Sequence, residues 1–170
     1  MRPTSQLVLT DAALAKPSNF REYLGELRKS DSVSGYHYVA PKEPQLVDIP
    51  EGVHPRIRQV LEGRGIQRLY SHQAASFETV AAGKNVVVVT PTASGKTLCY
   101  NLPVLNGLMN DPHSRALYLF PTKALSQDQV NELKSTIDDL EVKIGTYTFD
   151  GDTPSSARKA VRAAGHIVVT

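Results

Sequence analysis

The stretch "VVVVTPTASGKTLCYNLPVL", residues 86–105, constrains this chain more than any other. Four consecutive valines suit a strand buried on both faces of a parallel sheet. A short loop closing on Gly95, Lys96 and Thr97 follows, and then an apolar stretch with helical character. Strand, glycine-containing loop and helix in that order make a phosphate cradle, because loop and helix N–H groups point into one concavity where the helix dipole favours an anion. Small residues at Ala93 and Ser94 leave room for it. The cradle predicted here comprises Thr92, Ala93, Ser94, Gly95, Lys96, Thr97 and Leu98, with Lys96 reaching the β- and γ-phosphates and the Thr97 hydroxyl entering a Mg²⁺ shell. Thr90 departs from the usual pattern, which has a glycine there. An ordinary helix N-terminus with a polar cap is the plain alternative for "SGKT".

The surrounding sequence supplies a matching scaffold. After Pro55, Ile57, Val60 and Leu61 form an i, i+3, i+4 stripe, and a second helix carries Ala74, Phe77, Val80 and Ala81 before Gly83. Past the phosphate loop, Pro103 is expected to kink the helix that ends near Met109. "RALYLF", "VKIGTYTF" and "HIVVT" then read as further strands, separated by a helix buried through Leu125, Val130, Leu133 and Ile137 and by "TPSSARKAVRAA", with Thr153 as N-cap and Pro154 at the first position. Strands alternating with helices predict an α/β domain with a mostly parallel sheet flanked by helices. It is assigned to residues 54–170, after an irregular extension over 1–53 in which "FREYLGELRKSDS" forms a short helix. The chain stops at Thr170 in an apparent strand, which suggests a truncated domain.

Composition narrows the setting. With 170 residues and 41% hydrophobic content the chain can bury one core, and its formal charge of +2 neither demands nor excludes nucleic acid. The only cysteine, Cys99, cannot form an internal disulfide and reads as a small core hydrophobe. No apolar window is long enough to span a bilayer. The expectation is a soluble, reducing, cytoplasmic setting with no membrane partner.

Four motifs in order, "LYSHQ", "TPTASGKT", "FPTKALSQDQ" and "FDGDTPSSAR", resemble the Q motif, motif I, motif Ia and the following glycine-containing motif of superfamily 2 helicases. "PTKALSQDQ" and "GDTP" are most similar to the MrfA (YprA-type) bacterial DNA repair helicases and their eukaryotic RecQ-like relatives. RNA DEAD-box proteins have a glutamate and a glutamine where Ala124 and Asp128 stand. The resemblance implies a P-loop NTPase of RecA-like fold, the first motor domain of an ATP-dependent helicase or translocase moving 3′ to 5′.

By that resemblance Gln73 reads adenine, because its amide can donate and accept at once toward the N6 and N7 edge. Tyr70 or Arg68 stacks on the base, and His72 is left as a packed or capping residue. Pro121, Thr122 and Lys123 after the second strand, Gly151, Asp152 and Thr153 after the third, and Thr170 after the fourth would line the track of one DNA strand, in the crevice at the strands' carboxyl ends. Ordinary helix caps explain several of the same residues. The implied partners are ATP with Mg²⁺, single-stranded DNA or DNA with a 3′ tail, and a second RecA-like domain. No DExH or DEAD sequence occurs in the chain, so turnover by these residues alone is not expected. A P-loop module that binds nucleotide or DNA without turnover is the principal alternative, and Thr90 and "PTKALSQDQ" disfavour a P-loop kinase.

Overall fold

The computed structural model describes residues 19–35, 37, 39–40 and 43–170. Residues 1–43 and 44–170 form two compact units. In the first, helix α1 (Phe20–Lys29) starts where the Asn19 side chain accepts a hydrogen bond from the Glu22 N–H at 3.0 Å, an N-cap that fixes the first turn.

The second unit opens with β1 (Leu46–Asp48), antiparallel to β2 (Arg68–Tyr70) with Leu46 opposite Tyr70 and Asp48 opposite Arg68. Helix α2 (Pro55–Gly63) lies between them in sequence, and Ile49 and Val53 are buried in the same core as its Ile57 and Leu61. Residues 44–53, expected in the extension, therefore pack with the compact unit. Proline punctuation hides this strand, whose partner lies about twenty residues downstream in β2.

Helix α3 (Ser71–Ala81) follows β2 directly and packs on α4 (Lys96–Asn110), burying Ala74, Ser76 and Phe77. Val80, expected on the buried face, is exposed. Pro103 sits inside α4, which continues through it as one helix. The sheet has the order β3 (Ala116–Tyr118), β5 (Ile167–Val169), β4 (Thr146–Thr148), all parallel, with α5 (Lys123–Leu140) and α6 (Ser155–Ala164) as crossovers. Bonds from Phe120 N to Thr170 O at 2.9 Å and from Phe149 N to Val169 O at 2.7 Å carry the ladder beyond the strands. Leu102, Leu105, Leu133, Leu140, Ile167 and Val169 are fully buried between helices and sheet.

Two expectations are corrected. The valine run at 85–90 is not a sheet strand among the described residues, and Val87 and Val89 are 87% and 88% exposed. A β-branched run becomes a strand only when a neighbour takes its N–H and C=O groups, and β3 pairs with β5 instead. Thr153 is not the N-cap of α6, because its hydroxyl accepts from Asp150 N–H at 2.9 Å and donates to Asp150 Oδ1 at 3.2 Å, closing a turn. Pro154 takes the cap position and Ser155 is the first helical residue. Among the described residues no helix is long and apolar enough to cross a membrane.

Candidate functional site

The phosphate loop is built at the start of α4. Gly95 is its N-cap residue, with φ 72° and ψ 29°, a left-handed conformation that glycine adopts at little cost. Ala93 is also left-handed at φ 59°, which an L-residue adopts at about 1 kcal/mol or more. Successive turns of this kind aim backbone amides into one concavity. Among the described residues no protein acceptor takes the amides of Ala93, Ser94, Gly95, Lys96 or Thr97, which is the donor set an anion needs.

Side chains hold this loop from within. The Thr90 hydroxyl pairs with that of Ser94 at 2.6 Å, so the residue replacing the usual glycine staples the loop. Lys96 folds back over it, Nζ donating to the carbonyls of Pro91 at 2.6 Å and Thr90 at 2.9 Å. These neutral acceptors are weaker partners for an ammonium than phosphate oxygens, toward which the flexible stem can swing. Thr92 is exposed, while Thr97 and Leu98 are half-buried on the first turn of α4.

The start of α3 braces the loop from outside. Gln73 is 5% exposed, its Oε1 accepting from Tyr70 N–H at 3.0 Å and its Nε2 donating to Gly95 O at 2.9 Å. His72, which the sequence leaves without a role, donates from Nε2 to Ser94 O at 2.9 Å, and its ring stacks on Tyr70 with centroids 5.6 Å apart. No local signal marks this histidine, since its partner lies 22 residues away. Tyr70 is 41% exposed. Arg68 is committed elsewhere, to Asp48 Oδ1 at 3.2 Å and Leu46 O at 2.9 Å.

Behind the loop, burial pushes the Cys99 thiol up from its ordinary pKa, with Lys96 pulling weakly the other way. Cys99 is buried, as expected of a core residue. Below it the Tyr118 hydroxyl donates to Asn101 Oδ1 at 2.9 Å, both residues being buried, and burial drives that phenol far above its ordinary range.

A second cleft, of about 560 Å³, opens at the carboxyl ends of the three strands. Pro121, Thr122, Lys123, Gly151 and Thr170 line it, so the topology gathers five of the seven residues expected on a strand track. Thr122 is also the N-cap of α5, its hydroxyl accepting from Leu125 N–H at 3.3 Å. Lys123 is bonded to the Asp152 carboxylate, with Asp150 Oδ2 at 3.9 Å. That pairing holds the lysine pKa up and the Asp152 pKa down. Asp152 and Thr153 are not among the lining residues: Asp152 meets the cleft as the partner of Lys123, and Thr153 is a turn residue bonded to Asp150.

Mg²⁺ fits these residues through one group. Thr97 brings one hydroxyl on the first turn of α4, and among the described residues no cluster of three or more His, Cys, Asp or Glu could hold a metal. A donor set that thin suits an ion held mainly by phosphate oxygens and water.

Comparison with known proteins agrees with this geometry. Residues 70–170, more than half of the chain, match the DEAD/DEAH box helicase family. The ATP-dependent helicase YprA of Bacillus subtilis strain 168 is 48% identical over 155 residues, covering 91% of this chain and 21% of that protein. The ATP-dependent helicase hrq1 of Schizosaccharomyces pombe is 40% identical over 167 residues, covering 91% of this chain and 15% of that protein. The crystal structure of the DUF1998 helicase MrfA bound to DNA and AMPPNP superposes with a TM-score of 0.80 at 49% identity, over 88% of this chain and 21% of that one. The chain spans about a fifth or less of the length of these relatives. The α/β fold is the RecA-like one expected from the motif order, and the chain belongs to the DEAD/DEAH box helicase family.

Proposed function

We propose that the protein carrying this chain is an ATP-dependent DNA helicase or translocase that moves 3′ to 5′ along one strand and serves DNA repair. The observation that carries the reading is the phosphate loop, where the amides from Ala93 to Thr97 have no backbone acceptor among the described residues and Lys96 can exchange the Thr90 and Pro91 carbonyls for phosphate. In this reading Lys96 neutralises the β- and γ-phosphates and Gln73 and Tyr70 receive the adenine. Thr97 contributes to Mg²⁺, which when bound neutralises charge on the transferring phosphoryl group. Support for DNA as the track comes from the similarity to MrfA, solved with DNA and AMPPNP, and from the cleft at the strand ends. The partner is single-stranded DNA or DNA with a 3′ tail.

Hydrolysis needs a carboxylate to activate water and cations to stabilise the transition state. The sequence holds no DExH or DEAD box. The reading assigns those groups, and a second RecA-like domain, to chain outside these residues, so the 170 residues alone bind ATP without turning it over. A cytoplasmic setting goes with this reading and with the unpaired, buried Cys99.

DNA-stimulated ATPase and unwinding of 3′-tailed against 5′-tailed duplexes, measured on the full-length protein and its Lys96→Ala variant, test it. Turnover should fall at least about a hundredfold in the variant, as for loss of an electrostatic stabiliser of the transition state, while the thermal melt is kept. Unwinding by wild type should need the 3′ tail. A wild-type protein that binds ATP and DNA yet never hydrolyses ATP would be the binding module instead.

A further inference from the structure

The strand-end cleft has one cation among its lining residues, Lys123, and that cation is already paired. Its partner Asp152 is placed by the turn after β4. Asp150 Oδ1 accepts from Asp152 N–H at 2.9 Å and from the Thr153 hydroxyl at 3.2 Å, so Asp150 holds the turn together. Asp152 has no such duty. Its side chain is 83% exposed, and among the described residues its carboxylate contacts Lys123 alone. Thr122, the neighbouring hydroxyl, is spent on the cap of α5. A carboxylate and a phosphodiester both offer anionic oxygens to an ammonium with three donors, and a carboxylate fixed to the same cleft is always present at high local concentration.

We propose that Asp152 is a tethered counter-ion for Lys123, competing with the nucleic-acid backbone for the same ammonium, so that a strand enters the cleft by exchanging carboxylate for phosphate. The inference rests on the reading of this cleft as a strand track. Asp152 restrains affinity and makes the Lys123 contact available only where a phosphate is delivered in register by the rest of the track. Both groups are ionised at neutral pH by their ordinary pKa values, and the pairing moves each further the same way. A phosphate is the occupant that the donor set favours, since the cleft's lining holds one cation, Lys123, and a single side-chain amide, Gln127.

The test is a double-mutant cycle in the full-length protein, with Lys123→Ala, Asp152→Asn and the double variant. The readout is the affinity for a labelled oligothymidine and for a mixed-sequence single strand across a salt series. Asp152→Asn should tighten both strands about two- to fivefold at low salt, the range of an exposed ion pair, and the gain should shrink as salt screens the pair. Lys123→Ala should weaken both and reduce the slope of log K against log salt by about 0.7. The double variant should match Lys123→Ala, with no gain left for the neutral side chain to give. An equal gain from Asp152→Asn in both backgrounds would overturn the exchange, because Asp152 would then act as a general repulsive charge. So would no gain beside a Lys123→Ala variant that does bind more weakly. Unchanged binding by Lys123→Ala would instead remove the strand-track reading, and the exchange with it.

Discussion

The side-chain amide of Gln73, at the start of α3, donates to the carbonyl of Gly95 at 2.9 Å and so ties that helix to the turn that opens α4. The same amide accepts from Tyr70 N–H at 3.0 Å. A glutamine amide has two donors and two acceptor lone pairs, so one of each remains. That remaining pair is what an adenine edge requires. In the proposed reading one buried side chain therefore has two roles, holding the phosphate loop in shape and selecting the base.

Gln73→Ala separates the two roles. In the full-length protein it should weaken ATP, GTP and pyrophosphate alike through the lost brace, and weaken ATP further by roughly 1–3 kcal/mol for the lost base contact. Equilibrium binding of the three ligands to wild type and variant measures both parts. Equal losses for all three would leave the brace as the only role.

Gly95→Ala should be more damaging than its size suggests. A Cβ there meets Gln73 Nε2 at 2.6 Å, and the backbone sits at φ 72°. Left-handed backbone costs an alanine about 1–2 kcal/mol, and the amide must also abandon its carbonyl. Melting should fall modestly while nucleotide binding is lost, a split that calorimetry with and without nucleotide would display.

Cys99 should resist thiol reagents in the folded protein. Burial raises its pKa, so at neutral pH less of it is thiolate than in a free cysteine, and the side chain is also covered. Labelling with an aromatic disulfide should be slow at pH 7, should rise with pH, and should become fast on addition of denaturant. Rapid labelling of native protein would contradict the burial described.

Tyr118→Phe should destabilise the second unit by about 1–3 kcal/mol, because it leaves buried Asn101 Oδ1 without its donor. Removing both groups with a Tyr118→Phe and Asn101→Leu pair should cost less than the sum of the single changes. Denaturant unfolding of the three variants gives the comparison. The wild-type phenol should also stay un-ionised in an alkaline absorbance titration until the protein unfolds, since burial favours its neutral form.

What the sequence discloses here is what local order determines. Gly95, Lys96 and Thr97 fall at a helix start because loop and helix are consecutive, and "LYSHQ" sits beside them because α3 follows β2 without a loop. Three sheet strands and their crossover helices follow from alternation. Pairings across distance were not legible. The Lys123–Asp152 contact spans 29 residues, and nothing in "PTKAL" says that its lysine already has a carboxylate. Asp48 opposite Arg68 likewise goes with a compact unit that starts at Pro44, within the proline-punctuated stretch. Thr153 misleads because its hydroxyl bonds backward to Asp150 rather than forward to the helix.

The valine run at 86–89 has a consequence for handling the chain. It is uncharged, β-branched and free of proline, with Val87 and Val89 turned almost wholly to solvent. Segments of that composition with open backbone groups template cross-β assembly. Lys84 and Asn85 at one end, and Pro91 at the other, are the gatekeepers that limit how far such a stack can extend. Preparations of these 170 residues should accordingly associate in proportion to concentration, bind thioflavin as they do so, and lose both behaviours when Val87 and Val89 are replaced by threonine and lysine.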